Sequence, residues 1–146
     1  MAVKPAAAGK WQSALAGQPA STGIVRVAIV GAGPIGLDAA ACVLAAHPSL
    51  SVVLFERGES AAAAVREWGH VTLFSPNSLN VSGAMAFILA RTGRAVPDMT
   101  ACPTGREYVS QTLQPVAKGL AELYGSRFLL RTRVEVRHSS IHKKSA

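Results

Sequence analysis

Three glycines stand in the run Gly31-Ala32-Gly33-Pro34-Ile35-Gly36, and an acid, Glu56, closes an apolar stretch about 20 residues further on. This spacing suits a strand that turns sharply into a helix whose first amides face a pyrophosphate. Gly31 permits the turn, Gly33 lets the backbone approach the phosphates, and Gly36 lets the helix pack closely on the strand. A Cβ at Gly33 would stand in the ligand's place. Ala40, four residues beyond Gly36 on the same helix face, keeps the sheet contact close. Glu56 can accept both hydroxyls of a ribose. A 2′-phosphate there would meet like charge, so the motif favours FAD or NAD over NADP; the neighbouring Arg57 weakens that preference only slightly.

The elements that must hold these residues follow from periodicity. Val25 to Val30 is a β-branched run that reads as the first strand, and Pro34 to about His47 as a helix ended by Pro48-Ser49. Leu50 to Phe55 is the second strand. The run Gly58 to Ala64 is small and flexible, Trp68 and His70 form a landmark, and Val71 to Phe74 is strand-like before the turn Ser75-Pro76-Asn77. Ser82 can cap a short helix over Gly83 to Arg91. Thr104 with Glu107 makes a capping box ahead of Val109, Leu113, Val116, Leu120 and Leu123 at helical spacing. Pro115 should kink that helix and Gly125 should stop it. A third strand is expected over Phe128 to Val136, with Leu130, Thr132, Val134 and Val136 on one face and Arg131, Arg133, Glu135 and Arg137 on the other. The order predicts an α/β fold, a Rossmann-like parallel sheet with flanking helices.

Composition narrows the function classes. The chain has 146 residues, 49% of them hydrophobic, with mean hydropathy +0.27, enough for one globular domain. The stretch Ile24 to Ala46 is apolar, but Arg26, Asp38, Pro34 and three glycines make it a βα unit and not a membrane span. The net charge of +7 concentrates at the C-terminal end, where Arg127, Arg131, Arg133, Arg137, Lys143 and Lys144 face Glu135 alone. Without interleaved aromatics, that end reads as a solvated tail or strand face and not as a nucleic-acid groove. Cys42 and Cys102 form no CxxC, so dithiol chemistry is missing, and Cys42 is expected in the core. The phosphate-loop and GxSxG patterns are absent, no residue set has metal-ligand spacing, and Asn80-Val81-Ser82 is a chance match to a glycosylation acceptor. Of the four histidines, only His70 lies near a candidate site.

Together, Gly31-Ala32-Gly33-Pro34-Ile35-Gly36, Phe55-Glu56-Arg57, Trp68-Gly69-His70-Val71 with Leu73-Phe74-Ser75-Pro76, and Pro103-Thr104-Gly105-Arg106-Glu107 resemble the N-terminal part of FAD-dependent, NAD(P)H-using oxidoreductases related to flavin-containing monooxygenases. The resemblance covers roughly residues 24 to 137. It implies FAD in an extended pose, its pyrophosphate over Gly31, Ala32, Gly33, Pro34, Ile35 and Gly36 and its adenosine ribose on Glu56. Arg57 would flank the adenosine end and the backbone of Val134 would reach the adenine. Where many relatives carry a Gly-Gly pair before the tryptophan, this chain has Ala61 to Ala64. Such flavoproteins also insert a second dinucleotide domain for the nicotinamide cofactor, of which this sequence shows none, so a truncated copy, a fragmentary gene model or one with a reading frame shifted near its end is expected.

The resulting division is a disordered tail at residues 1–22, the N-terminal part of an FAD/NAD(P)-binding domain at 23–137, and a basic tail at 138–146. The expected function is the FAD-binding portion of an oxidoreductase in which NAD(P)H reduces FAD. The alternative is a stand-alone dinucleotide-binding module, or an inactive fragment, without turnover. No catalytic residue is named, because in flavoenzymes the cofactor carries the hard chemistry. A cytoplasmic location is expected, the alternative being an organelle transit peptide in the first 22 residues.

Overall fold

A computed structural model describes residues 26–135; the two expected tails, and the ends Val25, Val136 and Arg137 of the expected strands, lie outside the described residues. Ten elements follow in order: β1 (Arg26–Val30), α1 (Pro34–Ala46), β2 (Ser51–Phe55), α2 (Ala63–Glu67), α3 (Asn77–Asn80), α4 (Gly83–Arg91), α5 (Gly105–Tyr108), a π-helical turn (Val109–Leu113), α6 (Gln114–Tyr124) and β3 (Arg127–Leu129). The strands form one parallel sheet in the order β1-β2-β3, with Ile29 opposite Leu54 and Leu54 opposite Phe128. The fold is therefore α/β, a small parallel sheet with flanking helices, an arrangement consistent with a Rossmann-like fold.

The strand period of two divides the sheet into unlike faces. Val27, Ile29, Val52, Leu54 and Phe128 turn toward the core, where α1, α4 and α6 pack through Leu37, Leu44, Met85, Ile88, Val116 and Leu120. The opposite row, including Ala28, Val30 and Phe55, is partly or fully exposed, Val30 by 67%. No described helix is long and apolar enough to cross a membrane, so the apolar stretch Ile24 to Ala46 resolves into strand, loop and helix over its described part.

Local chemistry accounts for the helix limits. Pro34 occupies the first turn of α1, where its missing N–H costs nothing. The Ser82 hydroxyl accepts from Met85 N at 3.1 Å and starts α4. Thr104 and Glu107 complete their capping box, and the donors of Thr104 hold the Glu107 carboxyl below the usual carboxylate range. Gly125, at φ +64°, ends α6 in the left-handed conformation. Around Pro115 the structure shows a change of helix type. The helix is continuous but widens over Val109–Leu113, where Gln114 N–H bonds Val109 O five residues back, which relieves the crowding a proline ring imposes on the preceding turn.

Three expectations need correction. The third strand stops at Leu129 instead of reaching Val136. Its partner β2 ends at Phe55, and Arg131 takes a left-handed φ of +54° that turns the chain toward the loop after β2. Val71 to Phe74 forms no strand; only an isolated bridge joins Thr72 to Thr104, because neighbouring bonds tie the segment to Pro103–Arg106 one residue at a time. Cys42 is exposed and not in the core, with its thiol against Asp38 on the outer side of α1. Partial desolvation against α1 and the Asp38 charge push that thiol's pKa up, which disfavours the reactive thiolate.

Candidate functional site

The loop between β1 and α1 is built as its glycines require. Gly31 has φ +93°, open to glycine but strained for any side chain, and its N–H donates to Phe55 O at 2.7 Å. A Cβ on Gly36 would lie 1.8 Å from Gly31 O, so the helix starts against the turn with no room for one more atom. A Cβ on Gly33 would meet nothing within 4 Å. Gly33 thus faces open space at the point where a ligand's phosphates would approach. The amides of Gly33, Ile35 and Gly36 have no partner among the described residues. Orphan donors at the start of a 13-residue helix, at the positive end of its dipole, make a fitting cradle for an anion.

Glu56 joins this loop to the rest of the site. Its side chain is nearly buried, at 9% exposure, and each carboxylate oxygen accepts a backbone amide at 2.8 Å: Oε2 from Ala32 and Oε1 from Gly58. The acid expected to read a ribose therefore also fixes the glycine loop. Every carboxylate oxygen has a second lone pair, so both remain able to accept a hydroxyl. The main chain of Glu56 and Gly58 takes the segment after β3, with Thr132 N donating to Glu56 O and Arg131 N to Gly58 O, each at 2.9 Å. Ala62 N donates to Ala32 O at 2.8 Å, drawing α2 in from the third side.

These segments enclose a cleft of about 380 Å³, within the usual range of small-ligand sites. It contains Gly31, Gly33, Pro34, Glu56, Arg57 and Val134 of the expected site, together with Arg133 and Ala62 to Val65. Ala32 is buried behind it, and Gly36 underlies the turn. Val134 reaches the cleft from a loop and not from a strand.

A second cleft, of about 350 Å³, lies on the other side of Pro34 and was not apparent from the sequence. Ile35 lines it, 82% exposed, with Asp38, Trp68, Leu79, Met85 and Tyr108. Trp68 rests on Gly105, where a Cβ would come within 2.8 Å of the ring. Tyr108 donates its hydroxyl proton to Asn80 O at 2.6 Å, and burial with the Asp38 charge pushes its pKa up to about 12. The Asn80 amide donates to Ser75 O and Pro76 O and is thus part of the turn. His70 is exposed and lines neither cleft. Among the described residues no group of three or more metal-ligating side chains gathers.

Comparison of the chain with protein-family models and with curated proteins yields no match.

Proposed function

We propose that this chain is the FAD-binding portion of a flavin-dependent oxidoreductase, with FAD laid across the start of α1 and NAD(P)H as its reductant. The observation that carries the reading is the meeting of two clefts at Pro34, in the same turn as the unpaired amides of Gly33, Ile35 and Gly36. A ligand with two heads joined by a pyrophosphate fits that plan. The cleft beside Glu56, Arg57 and Val134 suits adenosine, with the ribose on the Glu56 carboxylate. The apolar rim of Ile35, Trp68 and Leu79 suits a flat ring system.

When bound, FAD supplies the capacity to accept a hydride from a nicotinamide. The residues of this chain hold and orient it: helix-start amides meet the phosphates, Glu56 meets the ribose, and Trp68 with Met85 offers apolar contact. NAD shares the ADP half and is the alternative ligand.

Equilibrium titration followed by flavin fluorescence tests the proposal. FAD should bind, ADP should compete with it, and FMN, which lacks the adenosine half, should bind far more weakly. FMN binding as well as FAD, or ADP failing to compete, would overturn the assignment of the first cleft. NAD binding in preference to FAD would replace the flavin with a nicotinamide while retaining the site.

A further inference from the structure

The second cleft is apolar apart from a few groups, and most of their hydrogen-bonding capacity is already used. The Tyr108 proton goes to Asn80 O, and the Asn80 side chain is engaged with Ser75 and Pro76. Asp38 is the exception. Its Oδ1 accepts from the Ser82 hydroxyl and, at 3.7 Å, from the Cys42 thiol, whereas Oδ2 has no donor among the described residues. Ser82 is itself held by its cap bond to Met85 N, so the carboxylate is fixed from outside α1. Asp38 is thus a half-buried acid lining an apolar cleft, with one oxygen occupied and one free to accept a donor from a ligand.

Position suggests the donor. Asp38 lies four residues after Pro34, about 6 Å along the helix axis. Asp38 also lines the second cleft together with Pro34 and Ile35, so a ligand that passes the helix start and continues into that cleft would meet it. The carboxylate is too close to the phosphates to be neutral toward them, and Coulomb repulsion weakens the hold on any anion there. A ligand hydroxyl on the free oxygen would offset that repulsion.

We infer that Asp38 is a specificity-determining residue that accepts a hydrogen bond from a hydroxyl of the sugar or polyol joining the pyrophosphate to the redox ring. The inference rests on the dinucleotide reading above. It assigns Asp38 to the second half of the ligand and leaves the ADP half to the Gly33 loop and Glu56.

Affinities of Asp38→Ala and Asp38→Asn for ADP and for FAD, measured by calorimetry beside the unsubstituted chain, separate the two claims. Hydrogen bonds to charged groups are strong enough that Asp38→Ala should weaken FAD binding about tenfold or more. Asp38→Asn should fall between. ADP, which lacks the second half, should bind both variants as well as before or more tightly, which also reports that they are folded. Equal weakening of ADP and FAD would make Asp38 a structural residue and overturn the inference. Unchanged FAD affinity would overturn it too. Failure of the unsubstituted chain to bind ADP would overturn the dinucleotide reading and this inference with it.

Discussion

The cleft beside Glu56 and the cleft beside Trp68 share Pro34 as a wall, but one is made of backbone and the other of side chains. In the first, Glu56 ties Ala32 to Gly58, and main-chain bonds from Ala62, Arg131 and Thr132 draw three segments around one carboxylate. In the second, Ile35 and Asp38 of α1 meet Trp68, Leu79 and Tyr108 from segments distant in the chain, through packing and single side-chain hydrogen bonds. The difference bears on robustness. A backbone-built site fails at a few positions where no other residue fits, whereas a side-chain-built site can be retuned one residue at a time.

The sharpest test of that contrast compares two glycines three residues apart. Gly36→Ala would force a Cβ into Gly31 O, and we expect a loss of about 3 kcal/mol or more, at the upper end for overpacking, as a lowered midpoint in chemical denaturation. Gly33→Ala meets open space and should cost about 1 kcal/mol or less, the small penalty of alanine at a helix N-cap, while ligand binding is lost. Similar melting curves for the two variants would break the distinction between a packing glycine and a ligand-facing one.

Next in size is Glu56→Gln. The amide replaces one acceptor with an N–H2 group that must face the N–H of Ala32 or Gly58, so a loss of about 1–3 kcal/mol is expected, together with weaker ADP binding. Unaltered stability with weakened binding would mean that Glu56 reads the ribose without holding the loop.

In the second cleft the expected effects are smaller. Ser82→Ala removes the cap of α4 and a partner of Asp38, and should cost about 1 kcal/mol in the same denaturation measurement. Tyr108 adds a pH signature. Its phenol ordinarily titrates near 10 and is pushed up to about 12 in the fold, so the folded chain holds that proton more tightly than the unfolded one. Its contribution is complete below pH 10 and is lost as pH rises through about 12. Unfolding midpoints followed from pH 9 to pH 12 should fall for the unsubstituted chain, and Tyr108→Phe should lack this component.

The same contrast explains what could be seen in the sequence. Gly31, Gly33, Gly36 and Glu56 were visible because a backbone-built site constrains residue types at fixed spacing. The caps at Ser82 and Thr104 and the stop at Gly125 were legible for the same reason. The end of the third strand is not legible, because alternation from Leu130 to Val134 does not reveal that β2 ends at Phe55. A loop folded over a cleft can alternate as a strand does. The exposure of Cys42 is not legible either, because α1 is apolar almost all round and periodicity does not choose its buried face. The second cleft left no local signal, since Asp38 and Tyr108 are brought together only by the packing of α1 against distant segments.

The central claim, a pyrophosphate over the start of α1, is tested most directly by following backbone amide resonances while ADP is titrated into the chain. The account predicts saturable shifts at Gly33, Ile35 and Gly36, with smaller ones around Glu56 and none at core positions such as Ile88. Shifts confined to other segments, or none at these three amides at saturating ADP, would contradict it.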